Sequence, residues 1–124
     1  MIDQKSILIL EDEPEISEMI ADRLSREGFK SVQCQRENEA MAKMKNQEFA
    51  CVIVDIFLKR GNGQNMIEYL DEISRTRTYP IPVLVISGAL DVKVVKNIRG
   101  KISGAFVKPF DMNALVSKIK AITT

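Results

Sequence analysis

Four hydrophobic runs along the chain each end in a polar residue. Ile7-Leu8-Ile9-Leu10 leads into Glu11 and Asp12, and Cys51-Val52-Ile53-Val54 into Asp55. Val83-Leu84-Val85-Ile86 leads into Ser87, and Ala105-Phe106-Val107 into Lys108-Pro109. Runs this short and this continuously apolar read as strands buried on both faces. The spacing predicts strands over Ser6–Leu10, Lys30–Cys34, Ala50–Val54, Val83–Ile86 and Gly104–Val107. The second alternates and is more polar, as a strand near a sheet edge should be.

Between the strands the apolar period changes to that of a helix. Pro14 to Glu27 carries Ile16, Met19, Ile20 and Leu24 as one stripe, with Pro14 suited to the first turn and Gly28 placed to end it. A short helix over Asn38–Lys45 carries Ala40, Met41 and Met44. Gln64–Ser74 carries Met66, Ile67, Leu70 and Ile73. Asp91 is placed to cap a helix with Val94, Val95 and Ile98, and Asp111 one with Met112, Leu115, Ile119 and Ile122. Ile56 to Gly63 reads as a loop whose Gly61-Asn62-Gly63 marks a turn, and Thr76 to Pro80 as a polar connection.

Five alternations of strand and helix predict a (βα)5 doubly wound α/β fold, one domain over residues 1–124. The apolar first and third strands belong at the centre, which favours the parallel order 2-1-3-4-5 of flavodoxin-like sheets. The crevice of such a sheet lies at the carboxyl ends of its strands, where the order reverses. Here that is between strands one and three, and Glu11, Asp12 and Asp55 end those strands.

Composition narrows the chemistry. With 18 basic and 17 acidic residues the net charge is +1. That balance gives no electrostatic reason for direct nucleic-acid or membrane binding. The chain has no His, and Cys34 and Cys51 alone make no zinc pattern. Both cysteines read as buried thiols of a cytoplasmic protein. No apolar stretch approaches a membrane span, and no signal peptide is recognisable.

Three crowded carboxylates repel one another unless a cation stands between them. Magnesium takes oxygen ligands and keeps several waters. Asp12 and Asp55 are the expected ligands, with Glu11 bound directly or through water, and the Phe57 backbone carbonyl completes the protein's share. One carboxylate can then act as a nucleophile towards phosphorus. Asp55, alone at the end of a central strand, suits that role best. Lys108 supplies a point charge for a phosphate oxygen and Ser87 a hydroxyl donor, while Gly88-Ala89 leave room for backbone approach. Taken singly, each residue has a plainer reading: a solvated strand end, a helix-favouring acidic loop, a turn serine, a surface lysine.

The combination resembles a response-regulator receiver domain of two-component signalling. Ile7 to Glu13 resembles the acidic-pair motif, and Val52-Ile53-Val54-Asp55 the phosphoacceptor strand, with Gly63 eight residues on. Val83 to Gly88 resembles the Ser/Thr motif, and Lys108-Pro109-Phe110 the lysine-proline signature. The resemblance spans essentially the whole chain. It implies Mg2+ binding and phosphotransfer to Asp55 from the phosphohistidine of a sensor histidine kinase or phosphotransfer protein. It implies catalysis of nothing but the chain's own phosphorylation and dephosphorylation. It also implies a cis bond at Lys108–Pro109 and a surface around the fourth helix, fifth strand and fifth helix that is read by an output domain, a partner protein or a second copy in a homodimer.

Three positions depart from the family pattern. Ala105 stands where receivers usually carry an aromatic switch residue, and strand alternation sends Phe106 to the other face. Lys59, with Arg60 beside it, replaces a common proline. Phe57, two residues after Asp55, is bulky enough to shield a phosphoryl group from water. Two other readings compete: a pseudo-receiver that binds without being phosphorylated, and a flavin- or nucleotide-binding domain. The second lacks its phosphate cradle, because Glu11-Asp12-Glu13-Pro14-Glu15 would repel phosphate where such sites carry a glycine-rich loop.

Overall fold

A computed structural model describes residues 5–58, 63–78, 80–89 and 92–123. Its strands are β1 (Ser6–Leu10), β2 (Lys30–Cys34), β3 (Cys51–Asp55), β4 (Val83–Ser87) and β5 (Gly104–Val107). They form one parallel sheet in the order β2-β1-β3-β4-β5. The helices are α1 (Pro14–Arg26), α2 (Glu37–Asn46), α3 (Gly63–Ser74), α4 (Val92–Ile98) and α5 (Met112–Thr123). The expected α/β architecture and strand order are both present.

Alternation along the strands divides the core into two layers. Leu8, Leu10, Val52, Val54, Val83 and Val85 face Ala40 of α2, Met66, Ile67 and Leu70 of α3, and Val94 and Ile98 of α4. Ile7, Ile9, Ile53, Leu84 and Ile86 face Ile20 and Leu24 of α1 and Leu115 and Ile119 of α5. Every residue of β1, β3 and β4 is buried, whereas β2 and β5 are partly exposed. Burial on both faces explains why the three central strands lack polar alternation.

The helix ends follow from local chemistry. Pro14 opens α1, and the Ser17 amide donates to the Glu13 carbonyl at 3.1 Å. Gly28 adopts φ +92° just beyond α1, and the Phe29 amide closes the end by donating to the Leu24 carbonyl at 2.9 Å. Asp111 caps α5 as expected: its Oδ1 accepts from the Asn113 amide at 2.8 Å and from the Ala114 amide at 3.4 Å. The Asp91 cap and the turn residues Gly61 and Asn62 lie outside the described residues, as do Lys59 and Arg60.

Several boundaries and faces differ from expectation. Gly63 is the first residue of α3 instead of part of the turn, and its amide donates to the Ile56 carbonyl at 3.0 Å. Asp55 and Ser87 extend the expected third and fourth strands by one residue each. Met19 is 51% exposed, and Val95 also points outward. Helical spacing alone does not tell the edge of an apolar stripe from its centre.

Candidate functional site at the carboxyl edge of the sheet

Glu11 continues β1: its amide donates to the Cys34 carbonyl at 3.0 Å. Its carboxylate is therefore carried at the end of one central strand, and Asp55 ends the next. Glu11 is fully buried and Asp55 almost so, while Asp12 is half-buried. Carboxylate oxygens of all three lie within 4.8 Å of one another.

Lys108 enters from the end of β5. Its backbone amide donates to the Ser87 carbonyl at 2.7 Å, and the following bond to Pro109 is cis, as the resemblance implies. Its Nζ donates to Asp55 Oδ2 at 2.9 Å and lies 2.5 Å from Glu11 Oε1. The Glu11 contact is a close ion pair, and Lys108 is the partner of the buried Oε1. The other oxygens have amide partners: Asp55 Oδ1 accepts from the Phe57 amide at 3.0 Å, and Glu11 Oε2 from the Glu13 amide at 3.4 Å.

The electrostatics reflect this crowding. Burial, and next the adjacent Asp55 carboxylate, push the Glu11 carboxyl up to about 7 against the opposing pull of Lys108. Burial alone would push Lys108 down, but the two carboxylates facing it outweigh that effect and hold the ammonium above its usual value. Glu11 and Asp55 share the Lys108 ammonium, and the Asp12 carboxylate lies beside them. Oxygen ligands in this number and this charge imbalance suit a hard divalent cation such as Mg2+.

Ser87 and Phe57 take positions that the sequence did not convey. Ser87 is completely buried, and its hydroxyl donates to the Ala89 carbonyl at 2.7 Å while accepting from the Ala89 amide at 3.3 Å. In this conformation it serves its own loop instead of pointing at Asp55. Phe57 is 51% exposed, and its amide donates to Asp55 Oδ1. Gly63, eight residues after Asp55 as the resemblance noted, packs against the site and is not part of a turn. A Cβ there would overlap the Asp55 carbonyl oxygen and come within 2.7 Å of the Ile56 Cα. The signal was available in the glycine's fixed distance from Asp55, but only the fold shows what it touches.

A parallel α/β sheet with an acidic crevice and an inward lysine at the carboxyl ends of its strands is a doubly wound fold with a candidate cation site. Residues 7–120 match the response regulator receiver domain family, and the chain belongs to it. The phosphate regulon transcriptional regulatory protein PhoB of Escherichia coli is 31% identical over 121 residues, covering 95% of this chain and 51% of that protein. The chain thus spans about half the length of the curated relatives it matches. A sensor protein from Polaromonas sp. JS666 superposes with a TM-score of 0.82 at 27% identity, covering 95% of this chain and 94% of that one. The response regulator TrrA of Thermotoga maritima, solved in complex with Mg2+-BeF, superposes with a TM-score of 0.83 at 21% identity, covering 95% and 98%. This chain is accordingly a receiver domain of two-component response regulators. No helix among the described residues is long and apolar enough to cross a membrane.

Proposed function

We propose that Asp55 accepts a phosphoryl group from the phosphohistidine of a sensor histidine kinase or phosphotransfer protein in the cytoplasm. In that step the bond from imidazole nitrogen to phosphorus breaks and a bond from Asp55 Oδ to phosphorus forms. The observation that carries this reading is the Asp55 carboxylate itself. It is buried at a central strand end, fixed through one oxygen by Lys108 and through the other by the Phe57 amide, inside a group of three acids.

Glu11, Asp12, Asp55 and the Phe57 carbonyl would hold Mg2+. The ion would offset the negative charge gathered when an anionic phosphoryl group meets three acids. Lys108, already bound to Asp55, is placed to follow a phosphoryl oxygen as the carboxylate is esterified. Ser87 supplies a second donor once its hydroxyl leaves the Ala89 carbonyl. The added charge, roughly −1.5 to −2, pulls on the ends of β4 and β5 together, since Lys108 and Ser87 are joined through their backbones. The surface around α4, β5 and α5 is the part so biased for output. No external substrate is turned over.

Intact mass after incubation with Mg2+ and acetyl phosphate tests this. One phosphoryl adduct is expected, absent from Asp55→Asn and from a sample held in EDTA. An adduct that persists in Asp55→Asn would refute the assignment. Failure of the wild type with both acetyl phosphate and a phosphorylated kinase would refute phosphotransfer.

A further inference from the structure

The edge of the sheet opposite Asp55 carries a cavity of about 360 Å³. The strands are parallel, so Val83 begins β4 at this amino edge and Ser87 ends it at the other. The buried side chains of Leu70, Ile81 and Val83 line the cavity from the core side, and the more exposed Pro80, Pro82 and Ile102 line it from the surface.

Backbone groups along this lining are already paired within the protein. The Ile81 amide donates to Ser74 Oγ at 3.0 Å, the Pro82 carbonyl accepts from the Val52 amide at 3.0 Å, and the Val83 carbonyl accepts from the Ser103 amide at 2.7 Å. Pro80 and Pro82 have no amide hydrogen to satisfy. An apolar body can therefore cover this surface without stranding any of these groups. Small-molecule sites pair apolar walls with a few polar groups in roughly 300–1,000 Å³, and the cavity meets both conditions.

The polar groups are what select a ligand. Among the described residues, three charged side chains line the cavity: Arg75, Lys101 and Asp71. Two cations against one acid leave one positive charge in the lining. Arg75 Nη2 donates to Asp71 Oδ2 at 2.8 Å, but a guanidinium has five N–H donors and the side chain is 72% exposed. Lys101 pairs with Glu68, which does not line the cavity, and its ammonium has three donors. The backbone fixes where Lys101 starts: Gly100 takes φ +85° just beyond α4, and the Lys101 amide donates to the Ile98 carbonyl at 3.0 Å. Both cations thus keep donors for one further anion at the mouth of an apolar cavity.

We propose that this cavity binds a small organic acid with an apolar body, of the medium-chain or aromatic carboxylate class. Its carboxylate meets Arg75 and Lys101, and its body covers Leu70, Ile81 and Val83. A cation with the same body would face two like charges, and a neutral alcohol would leave the lining charge unbalanced. The site lies at the far edge of the sheet from Asp55, so the assignment does not rest on phosphotransfer.

Titration of the full chain with octanoate, octanol, octylammonium and acetate, followed through backbone amide resonances, tests the proposal. Octanoate is expected to bind saturably and to shift residues 70–75, 81, 83 and 100–103 around the cavity. Octanol and acetate should bind less tightly, each lacking one half of the ligand, and octylammonium least. Arg75→Gln and Lys101→Gln should each weaken octanoate about threefold and leave octanol unchanged, which shows that the cavity itself is intact. Octylammonium binding as tightly as octanoate, no saturable shift with millimolar octanoate, or shifts centred on other elements would overturn the proposal. So would Gln variants that bind octanoate like the wild type, or acetate matching octanoate, which would reduce the site to a surface anion contact.

Discussion

Lys108 is the residue on which the site balances. Among the described residues it is the one cation that reaches both Glu11 and Asp55, and those acids are buried. Lys108→Met should destabilise the metal-free protein by about 3 kcal/mol, because breaking a buried pair strands charge. The loss is tempered because Glu11 can take up a proton. Urea denaturation at pH 7.5 measures it, and an unchanged midpoint would show that the acids find another partner. Phe57 acts on lifetime. Its side chain is exposed two residues after Asp55, and its amide donates to that carboxylate, so the ring can cover a phosphoryl group without being needed for the fold. Phe57→Asn should lose phosphate faster than the wild type in a radiolabel or mass time course; equal rates would remove the shielding role.

At the scale of elements, the site depends on how closely α3 approaches the end of β3. Gly63→Ala would drive a Cβ into the Asp55 carbonyl, and backbone cannot yield as a flexible side chain does. A cost of about 2 kcal/mol is expected from such overpacking, together with slower phosphorylation as Asp55 shifts. Gly88→Ala is the control, since nothing lies within 4 Å of a Cβ there. Thermal melts of both variants should separate them, and similar melting points would mean that α3 can retreat freely. A second junction ties α1 to α5: Glu27 pairs with Arg23 at 3.0 Å and with Lys120 at 2.5 Å, and Arg23 also donates to Asn113 at 2.8 Å. These groups are solvent-accessible, and their role is orientation more than stability.

For the whole molecule, the core controls the thiols. Burial pushes Cys34 up to about 11 and Cys51 up to about 12. Neither should react with iodoacetamide at pH 8 in the folded protein, and both should react in urea; rapid labelling without urea would contradict their burial. The linkage has a definite sign. Unfolded thiols ionise near 9, so above that pH the unfolded chain releases protons that the folded chain retains. Stability from these groups is complete below about 9 and is lost as pH rises towards 11 and 12, by up to about 1.4 kcal/mol per thiol per pH unit. Cys51→Ala should flatten the alkaline limb of a urea-midpoint profile relative to the wild type.

Much of this was legible in one dimension. Continuous apolar runs are what two-faced burial demands, so the central strands and their order could be read directly. A polar residue ending each run fixed which side chains reach the carboxyl edge. Chain length and alternation alone left Glu11, Asp12, Asp55 and Lys108 few other places to meet. The rest needed the third dimension. Whether Met19 or Val95 is core depends on how far a helix is rotated on its sheet, which a difference of one stripe position does not encode. The Ser87 hydroxyl could serve either Asp55 or its own loop, and only the path of Ser87-Gly88-Ala89 selects the loop. Gly63 looked like a turn until α3 was seen to begin there, against the Asp55 carbonyl. The lack of acids from Val92 to Phe110 was visible in the sequence. That Ala105 and Val107 lie on the sheet face of Val85 was decided by the register of β5 on β4, because adjacency across a sheet joins residues that the chain keeps apart.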